Sequence, residues 1–375
     1  MKPTPNSGIL DIAPYVGGKS TAGAGVRVVK LSSNETPLGA SPAAITAYKE
    51  AATTLHRYPD GSATKLREVI GEVYHLPPEQ IICGAGSDEL IGLLVHAYVS
   101  AGDEILISEH GFLMYKIYAQ SVGAKVISAP EKNLQTNVDA LLATVTKKTK
   151  IVFIANPNNP TGSYISASEM KRLRDGLPEN VLLAIDDAYC EYALSSPSPS
   201  GRGRGEGILD YSDGSELVKT SKNTVMLRTF SKIYGLSSLR LGWMFAPANI
   251  VDVINRIRGP FNVSTPAIMA GISAVRDTEF TAKTKEFNSK WLAWLSAEIS
   301  KLGLKVYPSI GNFILIEFPA TNHNASSANA FLMERGLIVR EVANYGLPNC
   351  LRITVGLEED NKAIVAALKE FLHNN

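Results

Sequence analysis

The chain has 375 residues, 45% hydrophobic and 19% charged, the composition of an ordinary globular protein long enough for two or three domains. Its 37 Lys+Arg against 36 Asp+Glu leave a formal net charge of +1, a balance that favours neither nucleic acid nor an anionic membrane as partner. Cys83, Cys190 and Cys350 form no CxxC, the histidines form no HExxH pair, and no apolar run approaches the ~18 residues that span a bilayer. Reduced buried thiols, no metal site and no membrane span are therefore expected. Residues 1–18 (MKPTPNSGILDIAPYVGG) are broken by Pro and Gly and hold no signal-peptide core, so a cytoplasmic protein is expected.

Through the first two thirds, short β-rich apolar runs alternate with helical patterns. Residues 80–83, 104–108, 125–128, 150–155, 181–185 and 224–227 read as strands, several without polar alternation, as for strands covered on both faces. Between them, 88–100 reads as a helix with Leu90, Leu93, Leu94 and Ala97 on one face and Gly102 past its end. SASE at 166–169 is a capping box opening a helix that turns Met170 and Leu173 inward. This alternation predicts an α/β fold with a mainly parallel sheet flanked by helices. Residues 195–207 (SSPSPSGRGRGEG) read as a surface loop. In the final third, a helical pattern over 281–302, strands at 312–318 and 350–355, and a helix at 360–372 predict a smaller α+β domain.

Four motifs carry chemistry, each at a predicted strand end. RTFSK, ending on Lys232, is followed by GLSSLR, ending on Arg240. A lysine between hydroxyls and glycines can be a plain surface residue. In a buried setting near other cations its pKa falls and it can form an imine with an aldehyde cofactor, while Ser231 and Arg240 bind a phosphate. NVLLAIDDAY places Asp186 at a strand's C-terminal end, the ligand edge of open α/β sheets. Such an acid can bind a metal or cap a helix; beside a pyridine nitrogen it keeps the ring protonated. NPNNPTG at 156–162 makes a turn that brings an Asn amide beside that strand end, where Tyr189 also reaches. CGAGSDE at 83–89 joins a strand to a helix N-terminus suited to a single phosphate; without the third Gly of GxGxxG it is a poor dinucleotide site.

With these motifs in one order along one chain, the sequence resembles the fold-type I pyridoxal-phosphate-dependent aminotransferases, and within them the histidinol-phosphate subfamily. The likeness runs from LSSNETPLG at 31–39 and RYPD at 57–60 to LRITVG at 351–356. The resemblance implies a large cofactor-binding domain over 35–265, and a small domain from 1–34 and 266–375. It implies pyridoxal 5′-phosphate held as a Schiff base on Lys232, which also moves the proton. Asp186 would pair with the pyridine nitrogen, Asn159 and Tyr189 would bind the ring oxygen, and Phe112 would stack on the ring. The backbone amides of Ser87 and Asp88, with Thr229, Ser231 and Arg240, would hold the phosphate. Tyr58 would reach the phosphate in the partner subunit of a homodimer with shared active sites. Tyr15, Asn34, Arg340 and Arg352 would contact substrate.

The chain departs from the family pattern at Ser238, where Gly is common, and at His110-Gly111 and Asp187. A Gly at 238 would serve a left-handed backbone. For substrate, histidinol phosphate with 2-oxoglutarate as acceptor is the first reading. Its phosphate dianion suits two arginines, and Arg340 supplies a second cation beside Arg352. The alternative is an aromatic or broad-range amino-acid aminotransferase in which Arg352 binds a carboxylate and Arg340 pairs with an acid such as Glu341.

Overall fold

The structure, a computed structural model, describes residues 3–5, 8–14, 17, 27–194, 210–320 and 322–373. Tyr15 and the segment 195–207 lie outside the described residues. In chain order the strands are β1 (Val29–Lys30), β2 (Ile81–Gly84), β3 (Glu104–Ser108), β4 (Lys125–Ala129), β5 (Thr149–Ala155), β6 (Leu182–Asp186), β7 (Thr224–Thr229), β8 (Gly242–Phe245), β9 (Lys305–Tyr307), β10 (Phe313–Glu317), β11 (Leu337–Ile338), β12 (Arg340–Glu341) and β13 (Cys350–Thr354).

One seven-stranded sheet has the order β2-β8-β7-β6-β5-β3-β4. Strands β7, β6, β5, β3 and β4 are mutually parallel, and β8 runs antiparallel to β7 and β2. Every residue of β2, β6, β7 and β8 is buried, which is why a stretch such as VLLAI at 181–185 reads as an unbroken apolar run. The sequence reading did not contain β8, because its four residues, GWMF beginning at Gly242, are too short to show a period. That glycine lets the strand pass close to a helix start, since a Cβ on it would lie 2.2 Å from the Ser87 amide nitrogen.

The helix Gly86–Tyr98 buries Leu90, Ile91, Leu94 and Val95, a face rotated slightly from the expected one. Ser166 caps the next-but-two helix by accepting from the Glu169 amide at 3.2 Å. The reciprocal half of the capping box is absent, because the Glu169 carboxylate is held by Arg172 at 2.7 and 2.9 Å. On β7, Arg228 is fully buried between the rings of Tyr74 and Trp243, 4.5 and 5.4 Å away, and is paired with Glu191 and Asp213. A buried guanidinium stays charged, so these acids are what make its burial tolerable.

The second sheet has the order β12-β13-β10-β9 and is antiparallel throughout. The sequence reading expected two strands here; β9 and β12, three and two residues long, carry no legible pattern. The helices Thr278–Lys301, Ala325–Glu334 and Glu358–His373 pack on this sheet, burying Leu295, Ile299, Leu332, Ile364 and Leu368 with Ile314, Ile316 and Ile353. Strand β1 pairs with β11 in parallel, tying the N-terminal segment to this second unit. The chain then crosses to the large sheet through Asn34, whose carbonyl accepts from Asn312 Nδ2 at 2.9 Å and whose amide donates to Thr354 Oγ1 at 3.0 Å.

Candidate active site

The C-terminal ends of β5, β6 and β7 and the turn after β2 open on one cavity of about 360 Å³. Ten residues singled out in the sequence line it: Ser87, Asp88, Phe112, Asn159, Asp186, Tyr189, Thr229, Ser231, Lys232 and Arg240. They come from separate stretches of chain, and the parallel strands bring them together because their C-terminal ends share one edge.

Asp186 is the last residue of β6 and is buried. Burial pushes its carboxyl up to about 6, opposed by a hydrogen bond from Tyr115, the Ala188 amide and the charge on Lys232. Tyr115 Oη donates to Oδ2 at 2.7 Å and the Ala188 N–H to Oδ1 at 3.3 Å. Lys232 follows β7, with Nζ donating to the Ser33 carbonyl at 3.3 Å and lying 5.4 Å from the Tyr189 ring centroid. Burial, and then the Arg352 guanidinium, lower its amine to about 8. Tyr189 is also buried, which raises its hydroxyl to about 12, so it remains a phenol that can donate. Its oxygen already accepts from Asn34 Nδ2 at 2.8 Å.

At the other end, the helix Gly86–Tyr98 points its N-terminus into the cavity, presenting its first-turn amides and the positive end of its dipole. Gly86 has φ 83°, and a Cβ there would come 2.7 Å from Arg240 Nη2, so only glycine allows the guanidinium this close to the turn. Arg240 Nη1 donates to Ser231 Oγ at 3.2 Å and to the Ser237 carbonyl at 2.9 Å. The left-handed residues of GLSSLR are Gly235, at φ 68°, and Arg240, at φ 48°, whereas Ser238 sits in the 3-10 turn Ser237–Leu239. Serine therefore meets no steric demand for glycine at that position.

Arg352, on β13, is buried; it donates to Asn159 Oδ1 and, through Nη2, to the Ser32 carbonyl at 2.7 Å. With Oδ1 taken, Asn159 has its NH2 group left to offer a ligand. Arg340 is half-buried and is the direct cross-strand partner of Arg352 in the β12–β13 register. Directly opposed residues of an antiparallel pair project from the same face, so the two arginines share one side of the sheet. Tyr58 is not brought to the cavity of its own chain: it is 82% exposed and stacks on Phe261 at 4.7 Å. The sequence reading missed Tyr115, although it lies three residues after Phe112 at the start of one helix, a spacing that puts neighbours on one face.

The set fits the cofactor expected from the sequence. An amine of lowered pKa, a carboxylate that a pyridinium would match, phenol and amide donors, an aromatic face and an anion cradle line a single cavity. In the cofactor-free protein, addition of an acylating reagent to Lys232 should titrate near pH 8, the amine being neutral above and protonated below. Arg352→Ala removes a like charge and should move the midpoint upward, read as labelling rate against pH by peptide mass spectrometry. A midpoint at the ordinary lysine value of about 10.4 in both proteins would contradict this electrostatic picture.

Residues 26–368 match the family model described as aminotransferase class I and II. The histidinol-phosphate aminotransferase of Rhodopseudomonas palustris (strain TIE-1) is 53% identical over 373 residues, 99% of each chain. That of Nitrobacter hamburgensis is 52% identical over the same share of each chain. Among solved structures, the histidinol-phosphate aminotransferase of Sinorhizobium meliloti in complex with pyridoxal-5′-phosphate superposes with a TM-score of 0.83 at 25% identity, over 92% of this chain and 91% of that one. The α/β architecture with its seven-stranded sheet is thus that of the fold-type I aminotransferases, and the chain belongs to the class I and II aminotransferase family.

Proposed function

We propose that the chain is a pyridoxal-phosphate-dependent aminotransferase that passes the amino group of histidinol phosphate to 2-oxoglutarate, giving imidazole acetol phosphate and glutamate, reversibly, in histidine biosynthesis. The observation that carries the substrate reading is the register that sets Arg340 opposite Arg352, with Arg352 in contact with Asn159 of the cavity. A phosphate dianion is matched by two guanidiniums, and histidinol phosphate has no carboxylate to occupy one alone. The full-length relatives at 52–53% identity carry the same activity in their names.

When bound, pyridoxal phosphate supplies the electron sink for charge developing at the substrate's amine-bearing carbon. Lys232 would hold the cofactor through Nζ and, once released from it, would carry the proton from that carbon to the cofactor's exocyclic carbon, a 1,3-shift. An amine of lowered pKa is suited to both tasks near neutral pH. Asp186 would face the ring nitrogen as a carboxylate, Tyr189 Oη and Asn159 Nδ2 would donate to the ring oxygen, and Phe112 would cover the ring. The amides of Ser87 and Asp88, with Thr229, Ser231 and Arg240, would hold the phosphate. Asn34 and Tyr15 would contact substrate, as the resemblance implies, and Asn34 would also position Tyr189 through the bond from its Nδ2.

A homodimer with shared sites is part of this reading. It is supported by Tyr58 and Phe261, a stacked aromatic pair left 82% and 47% exposed, as expected of side chains that a second copy covers. No helix among the described residues is long and apolar enough to cross a membrane. A cytoplasmic site of action is also proposed, supported by Cys83, Cys190 and Cys350, which are free thiols.

Turnover of histidinol phosphate, phenylalanine, tyrosine and leucine with 2-oxoglutarate should favour the first. Arg340→Ala should raise the KM for histidinol phosphate by about tenfold or more, the loss of one charge-assisted contact, and leave the KM for an aromatic amino acid nearly unchanged. Preference for an aromatic substrate, or equal losses on both, would overturn the two-arginine reading. Shared sites are tested by exchanging subunits between Tyr58→Phe and Lys232→Ala proteins. Under conditions where Tyr58→Phe loses cofactor, the mixed dimer has one site with both residues intact and should recover activity. No recovery after demonstrated exchange would place Tyr58 in its own chain's site.

A further inference from the structure

Tyr115 is fully buried and belongs to no motif that the sequence makes conspicuous. Its ring lies flat on Phe153 of β5, with centroids 4.6 Å apart and planes 8° from parallel. Its edge meets Phe112 at 5.7 Å and 85°. Held between these two rings, the phenol donates its hydroxyl to Asp186 Oδ2 at 2.7 Å. One side chain thus touches both the carboxylate and the aromatic face of the cofactor cavity.

We propose that Tyr115 is a positioning residue for the transamination chemistry, holding Asp186 ionised and aimed so that a proton shared with the ring nitrogen stays on nitrogen. This rests on the reading of Asp186 as the partner of that nitrogen. Desolvation favours the protonated acid, and a hydrogen bond donated to the carboxylate favours the ionised one. The groups that interact with Asp186 are Tyr115 from the helix Leu113–Ser121, the Ala188 amide, Tyr189, Lys232 from the turn after β7, the next residue Asp187, and Asp88 of the helix Gly86–Tyr98. Of these, Tyr115 is a neutral donor whose own burial and proximity to the carboxylate keep its proton on its oxygen. Lys232 leaves this role whenever its amine is engaged elsewhere, so Tyr115 and the Ala188 amide are the donors that persist.

Tyr115→Phe keeps the ring stack and removes only the hydroxyl. The holoenzyme reconstituted with cofactor labelled with 15N at the pyridine nitrogen reports where the shared proton sits. The wild-type resonance is expected in the pyridinium range, with Asp186→Asn displaced to that of neutral pyridine and Tyr115→Phe displaced in the same direction. In Tyr115→Phe, kcat should fall by about tenfold, as for loss of a hydrogen bond to a charged group, with KM changed less. If Asp186→Asn leaves the resonance where wild type has it, the reading of Asp186 fails and this inference falls with it. If Asp186→Asn moves it and Tyr115→Phe does not, Asp186 stands and the role of Tyr115 is overturned. Should Tyr115→Phe fail to fold, placing 3,5-difluorotyrosine at position 115 keeps the ring and makes the phenol a stronger donor. The resonance should then move further toward pyridinium, and no movement, or movement the other way, overturns the role.

Discussion

Desolvation acts on Lys232 and Asp186 in the same sense, driving each toward its neutral form: the amine falls to about 8 and the carboxyl rises to about 6. The two sit at the ends of adjacent parallel strands, β6 and the turn after β7, which also fixes their common cavity. An amine that is easily neutralised can add to a carbonyl and exchange protons, so its depressed pKa is useful. A neutral acid is not, because only a carboxylate holds a ring nitrogen protonated. The site must therefore let burial act on the lysine and oppose it at the aspartate. The hydrogen bonds from Tyr115 and the Ala188 amide do the second, while the Arg352 charge reinforces the first.

Arg352 connects this constraint to the second sheet. Its guanidinium reaches Asn159 and the Ser32 carbonyl, so it spans the cavity edge and the segment that joins β1 to the large sheet. Asn34, two residues on from Ser32, is bonded to Tyr189, Asn312 and Thr354. A shift of the second sheet would thus be felt at the phenol, the Asn amide and the lysine together. His110 adds a link of its own, its Nδ1 lying 2.7 Å from the Tyr345 carbonyl beyond β12, next to the residue that leads into Phe112.

Much of this was legible in the sequence because the large sheet is parallel and buried. Runs such as VLLAI have no reason to be continuous and apolar except in a strand covered on both faces, and they end where Asp186 begins. Gly86 and Gly242 mark backbone approaches that any side chain would block. What escaped was of longer range. Strand β8 is four residues long and antiparallel, and nothing local announces its pairing. Arg340 was expected beside Arg352, but the register that opposes them rests on a two-residue strand with no legible pattern. Tyr115 looks like any half-apolar helix residue until the fold places Asp186 beside it. Tyr58, named from the resemblance alone, stacks on Phe261 away from the cavity of its own chain.

The central claim is that Lys232 is the residue that carries the cofactor, and one measurement addresses it directly. Holoenzyme should be reduced with borohydride, digested, and searched for the peptide bearing the pyridoxyl mass. The account predicts one labelled peptide, with the modification on Lys232 Nζ, and no label after the same treatment of Lys232→Ala. Stoichiometric label on any other lysine would contradict it, whatever the activity of the protein.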